Sequence, residues 1–455
     1  MDFDDLACNR HDTFFILWRR NLETYAPERL AAKLAISHCN RTAIDAQNLS
    51  EGSYNRCFRV KFDQGPDAVV RFTALGRSFF RKEKVDDEVA LMNYLYAKHP
   101  AIPLPKVWGK GWCAVGPYIV MEFIEGTLLT KYLEEPNRDR KLGTILNPSI
   151  GVSTLRKGYR EMARLLLAMF DCKFSRIGAV GEDGSVTKRA VTFNMNELVG
   201  LANYPPKEFA THTFSTASDY FVSLANDHLT HLKMQRNDAI SDAEDCREKY
   251  IARCLFRKIC HELYTSPYNE GPFTLFCDDF RPSNVISDED LNIKSVIDWE
   301  YCYSAPVEFA HCSPWWLLLA RPDDWEDGPR DFMAQYLPRH RTFLEILREC
   351  EDEIIREKGM VSHGQKRLSE HMQESIDNGL FWFCLTAKSS YGFDKFYWRF
   401  VDERFFGKFT NLEQRLELLS EEERNNLEPF VQFKLQQEKE KKLDEHRTLD
   451  EILES

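Results

Sequence analysis

In the stretch FCDDFRPSNV, Phe276 to Val285, two adjacent carboxylates leave an apolar run, and an asparagine follows five positions after the second, Asp279 to Asn284. Neighbouring carboxylates repel, so the doublet Asp278–Asp279 costs stability unless a cation, a hydrogen-bond network or a chemical task holds it. Beyond it, Val285-Ile286 and Ser295-Val296-Ile297 flank the polar turn SDEDLN, a pattern that predicts a hairpin. A hairpin brings its two ends together, so Asn284 before the first strand and Asp298 after the second should lie side by side, within roughly 5 to 8 Å. Asp279 turns toward the same place. A carboxylate, an amide and a second carboxylate then converge at strand ends, a donor set suited to a hard divalent cation such as magnesium. A carboxylate near that ion but not spent on it can take a proton from a hydroxyl nucleophile.

The elements that must position these groups can be read on both sides. From about Leu49 to Phe123 the chain is strand-rich: a turn at EGSYN, Glu51 to Asn55, alternating CFRVKF, a second turn at Gln64 to Asp67, and AVVRF. RKEKVDDEVALMNYLYAKH follows, with Val85, Val89, Met92 and Tyr96 at helical spacing, and PYIVMEFIEG, Pro117 to Gly126, reads as a buried strand ending in glycine. After Gly126 the chain turns mainly helical, interrupted by the strand-rich island around the two aspartates. Amphipathic helices continue to about Phe433, and the charged tail QQEKEKKLDEHRTLDEILES reads as a helix forming a solvated face or a packing arm. Neither an internal repeat nor a Gly/Ser-rich or Pro-rich linker divides the chain.

The spacing Asp279-x-x-x-x-Asn284 with the following Asp298 resembles the catalytic loop and metal-binding aspartate of the protein-kinase-like fold. The IDWE and PSNV surroundings are more similar to the aminoglycoside phosphotransferase family, in particular its large fungal branch, than to protein kinases. The resemblance implies an α+β, two-lobed fold: an N-lobe of antiparallel sheet with one long helix, and a larger helical C-lobe. Residues 1–46 would be an N-terminal helical extension, 47–125 the nucleotide lobe, 126–435 the C-lobe with catalytic loop and acceptor pocket, and 436–455 the charged helical tail. It further implies that Asp279 is the catalytic base and that Asn284 and Asp298 hold magnesium. Gly52 and Ser53, with Tyr54, would form the phosphate-side turn. Arg71 would be the cation of the third strand, Glu88 its partner, and Met121, Glu122 and Phe123 the hinge against the purine of ATP or GTP. Landmarks run from about Gln47 to Phe332, including FSRIGAV, Phe174 to Val180.

Two positions depart from that pattern. Arg71 stands where a lysine is expected, and arginine offers a bidentate fork in place of a point charge. Cys277 stands where the catalytic-loop histidine is expected; a buried thiol can take over part of that residue's packing and loop support. These departures motivate an alternative reading, an inactive pseudokinase that binds a nucleotide or a protein partner, while the retained Asp279, Asn284 and Asp298 favour a working enzyme. Asp298 is followed within a few residues by Ala305-Pro306 and the apolar PWWLLLA, which leaves little room for the activation segment of a protein kinase, so a small-molecule hydroxyl is the expected acceptor. The helical insertion from about Ala190 to Leu263 and the helices after Trp325 would build the acceptor pocket. Asp278, Glu300 and Glu308 could hold a cationic acceptor such as an amine-bearing sugar or a choline-like compound, or else pair with arginines of the scaffold. Trp299, Trp315 and Trp316 could stack on it or belong to the core.

Composition sets outer bounds. The 455 residues carry a net charge of −12, which argues against a sequence-independent nucleic-acid binder. No apolar run approaches the roughly 20 residues of a membrane span, and the first residues, MDFDDLACNRHD, do not read as a signal peptide. The 13 cysteines are scattered with no C-x-x-C pair, as expected of reduced thiols in a cytoplasmic protein.

Overall fold

A computed structural model describes residues 1–262, 266–358 and 366–454. Two ends of the sequence expectations, Leu263 of the helical insertion and Ser455 of the tail, lie outside them. Helices α1 (Asp5–Thr24) and α2 (Pro27–Cys39) come first, followed by β1 (Ala43–Glu51), β2 (Asn55–Phe62), β3 (Ala68–Thr73), helix α3 (Arg81–Lys98), β4 (Val107–Cys113) and β5 (Gly116–Glu122). The five strands form one antiparallel sheet in the order β1-β2-β3-β5-β4.

Both faces of this sheet are covered. Alternation along the strands sends Phe58, Val60, Val70, Phe72 and Val120 to one face, where Trp18 and Leu22 of α1 and Ala31 and Ala35 of α2 cover them. Val85 and Val89 of α3 pack with Ile119 and Met121 on the other. The sheet with one long helix expected from the sequence is therefore a three-layer lobe, because a second apolar sheet face has to be buried too. The strands also start earlier than expected, with β1 opening at Ala43 inside the segment read as helical extension. On α3 the apolar stripe runs through Leu91, Met92 and Leu95, while Tyr96 is 56% exposed and points away from it.

The connection to the C-lobe passes through Gly126. Its φ of +157° lies in the region that glycine tolerates, and a Cβ there would meet Ile286 Cγ2 at 2.5 Å and the Ser287 carbonyl at 2.7 Å. Directly after it, Thr127–Leu128 joins Val285–Ser287, which pairs with Ile293–Val296 as the predicted hairpin. A separate sheet holds Phe273–Cys277 between Lys173–Phe174 and Cys302–Ala305. Around these short strands the long helices Val152–Asp171, Ala217–Met234, Ala243–Glu262 and Gly328–Lys358 build one large core.

The tail is not the single helix that its charge pattern suggested. A helix runs from Glu421 to Glu440, the chain then leaves helical geometry, and a last turn covers Leu449–Glu454. Carbonyls of the intervening stretch are spent on the C-lobe instead: Asn237 Nδ2 donates to the Lys442 carbonyl at 3.2 Å and Asn203 Nδ2 to that of Asp444 at 3.0 Å. The last turn crosses to the N-lobe, where Arg81 Nη2 donates to the Leu453 carbonyl at 2.8 Å. Among the described residues no helix is long and apolar enough to cross a membrane.

Candidate active site

Asp279 leaves the buried strand Phe273–Cys277 as the hairpin begins. Asn284 Nδ2 donates to the Asp279 carbonyl at 2.9 Å and to its carboxylate at 3.3 Å, which fixes the loop between them. Arg281 Nε lies 3.1 Å from the same carboxylate. At the open end of the hairpin, Val285 pairs with Val296, and the Ile297 N–H donates to the Asn284 carbonyl at 2.8 Å. The strand-end juxtaposition of Asn284 with the Asp298 segment thus follows from the register of the hairpin.

Asp298 sits at φ +64° and Tyr301 at +57°, two side-chain-bearing residues in left-handed backbone within one short loop. Such conformations persist where the surroundings over-determine them. Here the surroundings are ionic. Arg71 pairs through Nη2 with Glu88 and through Nη1 with Asp298 at 3.2 Å, with Glu300 3.6 Å away. Lys84 and Asn55 each bond one oxygen of Glu300. Burial works against the charge on Glu300, but Lys84 and Arg71 prevail and hold its carboxyl down at about 2. The Asp298 side chain remains 35% exposed, the open edge of an otherwise buried cluster.

The donor set suits a hard cation. Asp298 offers a partly exposed carboxylate, and the Asn284 amide, having spent its N–H on Asp279, keeps its carbonyl oxygen. The charges agree: Arg71 and Lys84 face Glu88, Asp298 and Glu300, two cations against three carboxylates, so the cluster is one positive charge short of neutral.

At the turn read from the sequence as the phosphate side, the Gly52 N–H donates to the Asn55 carbonyl at 3.0 Å. A Cβ at Gly52 would meet nothing nearer than that carbonyl, at 3.5 Å, so the turn itself does not require a glycine. Met121 is buried against α3. The N–H groups of Glu122 and Phe123 are already donated, to the carbonyls of Lys106 at 2.9 Å and Asp67 at 2.8 Å, and the Phe123 ring lies under the Arg59 guanidinium at 3.8 Å. Two of the three residues read as the hinge therefore have their amides and one ring committed within the N-lobe.

A cavity of about 380 Å³ opens in front of Asp279, walled by Ser53 and Tyr54 of the glycine turn and by Phe193 and Glu197 of the helix Phe193–Ala202. Its remaining charged wall comes from Arg281, Arg321, Asp323, Asp324 and Lys395, with Asp2 and Phe3 from the N-terminal segment. Burial pushes the Glu197 carboxyl up to about 7. The acidic residues singled out from the sequence lie elsewhere. Glu300 is consumed by Lys84, Asn55 and Arg71, and Glu308 is buried and accepts the Ser266 hydroxyl at 3.0 Å. Asp278 accepts the Phe193 N–H at 3.1 Å. They lie close along the chain to Asp279 and Asp298, but buried carboxylates take partners from the protein itself. Glu197, Asp323 and Asp324 carried no signal beyond ordinary helix and loop polarity. Trp299 and Trp316 are core residues, 1% and 2% exposed, while Trp315 lies near Arg321, whose guanidinium is 5.1 Å from its ring. Cys277 gives its thiol to the Glu300 carbonyl at 3.5 Å, which is loop support of the kind anticipated.

A family model described as the phosphotransferase enzyme family (APH) matches residues 45–345. No curated protein matches the chain. Among solved structures, an aminoglycoside phosphotransferase in ternary complex with ADP and hygromycin B is 16% identical, with a TM-score of 0.42 over 88% of this chain and 97% of its own. The GDP complex of an aminoglycoside 2'-phosphotransferase is 13% identical, with a TM-score of 0.40 over 89% of this chain and 98% of its own. A macrolide 2'-phosphotransferase type I is 9% identical, with a TM-score of 0.39 over 80% of this chain and 96% of its own.

Proposed function

Since the chain belongs to the phosphotransferase enzyme family, whose members are small-molecule kinases, we propose that it transfers the γ-phosphoryl group of ATP or GTP to a hydroxyl of a small molecule in the cytoplasm. The observation that carries this reading is the position of Asp279, which stands on the wall of a cavity shared by the glycine turn and the insertion helix. A base there sits between a nucleotide and an acceptor. In this reading the Asp279 carboxylate orients the acceptor hydroxyl and takes its proton as the oxygen attacks the γ-phosphorus, and the bond to the leaving diphosphate breaks. Asp298 and the Asn284 carbonyl oxygen would hold magnesium, which when bound neutralises charge on the phosphate oxygens. Arg71, held in place through Nη2 by Glu88, would contact the phosphates through its Nη1 arm. Positioning and charge stabilisation supply most of the acceleration in such a site.

The acceptor cavity sets Asp2, Glu197, Asp323 and Asp324, beside Asp279, against Arg281, Arg321 and Lys395, an excess of carboxylates that favours a polar acceptor carrying an amine over a neutral one. A protein acceptor is disfavoured because the chain returns to the sheet as Cys302–Ala305 directly after the metal loop and leaves no long segment to bind a peptide. The test is transfer of labelled γ-phosphate to a library of amine-bearing and neutral polyols. We expect turnover with an amine-bearing acceptor and a loss of ~10²-fold or more in Asp279→Asn. Turnover within about threefold of the parent in that variant would remove Asp279 from the role. Binding of nucleotide with no transfer to any acceptor would favour the pseudokinase reading.

A further inference from the structure

Lys84 and Glu300 stand outside the roles assigned above, yet both are buried, with side chains 1% and 4% exposed, and they bond each other across the cleft between α3 and the metal loop. Glu300 Oε2 takes the Lys84 ammonium and Oε1 takes the Asn55 amide, at the start of β2 beside the glycine turn. Both carboxylate oxygens are therefore satisfied without Arg71, whose Nη1 stays at 3.6 Å from Glu300 and makes its bond to Asp298 instead. On α3, Lys84 and Glu88 lie one turn apart but do not neutralise each other. Each is used across an element boundary, Lys84 on the metal loop and Glu88 on β3.

We propose that Lys84 and Glu300 are a positioning pair whose task is to keep Arg71 available to the nucleotide, an inference that rests on the phosphotransferase reading. With Lys84 and Asn55 each holding one oxygen of Glu300, that carboxylate keeps only a 3.6 Å ion pair to Nη1, and the hydrogen bond of the arm goes to the partly exposed Asp298 at 3.2 Å. When Asp298 is taken up by a metal ion, that arm is free to turn to phosphate. With Lys84 absent, Glu300 becomes a buried carboxylate whose nearest cation is Arg71, and it captures the arm. The same pair ties two elements to the metal loop, α3 through Lys84 and the start of β2 beside the glycine turn through Asn55. The arginine at position 71 then makes physical sense: its second arm lets it bind Glu88 and a phosphate together, provided nothing else claims that arm.

The test is a double-mutant cycle read by the affinity for ATP with magnesium and, separately, by the melting temperature of the ligand-free protein. Lys84→Met should weaken ATP binding by about tenfold or more, and Lys84→Met/Glu300→Gln should bring it back to within about threefold of the parent, because no buried charge then competes for Arg71. A double variant as weak as Lys84→Met, or weaker, overturns the proposal. So does a Lys84→Met variant that melts earlier but binds ATP like the parent, since that marks a pair of structural value only. Should Lys84→Met fail to fold, Lys84→Arg decides: it still neutralises Glu300, so affinity stays within about threefold, and a tenfold loss in that folded variant overturns the assignment. A parent that binds neither ATP nor GTP would sink the phosphotransferase reading itself, an outcome distinct from additive losses in a parent that binds.

Discussion

Arg71 divides one guanidinium between two carboxylates, Glu88 and Asp298, and side-chain exposures of 6% for Arg71 and 1% for Glu88 make the first of these pairs a buried one. Removing one partner of a buried pair leaves the other uncompensated, so Arg71→Met should cost about 3–5 kcal/mol of stability, measured by urea denaturation. Arg71→Lys should cost less, because the charge remains although one ammonium cannot serve both sides. A neutral result for Arg71→Met would show that Glu88 finds another partner. Gly52 behaves differently. Its turn leaves room for a methyl group, so Gly52→Ala should leave the melting temperature of the free protein within about a degree of the parent. Any loss should appear as weaker nucleotide binding, where the backbone must be approached closely.

Among the elements, the helix Ala217–Met234 carries a group whose protonation the fold controls. Asp227 is buried and accepts the Tyr204 hydroxyl at 3.0 Å. Burial pushes its carboxyl up to about 7 from an ordinary 3.8, so between those values the native state holds a proton that the unfolded chain releases. Its stabilising contribution is complete below about pH 4 and disappears as pH rises through 7. Asp227→Asn should therefore melt progressively later than the parent as pH rises from 4 to 8, and a difference that does not grow with pH contradicts the assignment. The elements that place Asp279, Asn284 and Asp298 were legible in the sequence, because hairpin register follows from two short apolar runs and a polar turn. What covers the second face of the N-lobe sheet was not, since α1 and α2 show helical periodicity without naming their partner. The carboxylates on the wall of the cavity in front of Asp279 were hidden for a related reason. Glu197, Asp323 and Asp324 come from segments that meet only in the folded chain.

At the scale of the whole molecule the C-terminal segment touches both the helical lobe and the sheet lobe. Asp444 pairs with Arg236 at 3.1 Å, the Lys442 and Asp444 carbonyls bond the C-lobe, and the last turn reaches Arg81 in the N-lobe. A chain ending at Glu440 should lose about 2–4 kcal/mol, from hydrogen bonds and the burial of Ile452, and its melting should broaden as the lobes uncouple. Equal sharpness and midpoint would mean that the tail is only an ornament of the surface. The central claim, that a metal-dependent nucleotide site lies between the lobes, is tested most directly by a thermal-shift titration with ATP and with GTP, with and without magnesium, on the parent and on Asp298→Ala. Nucleotide at about 100 times its Kd should add ~2.7 kcal/mol of stability, visible as a rise in Tm that requires magnesium and vanishes in the variant. A shift that is indifferent to magnesium and survives in Asp298→Ala, or no shift with either nucleotide, would contradict the account.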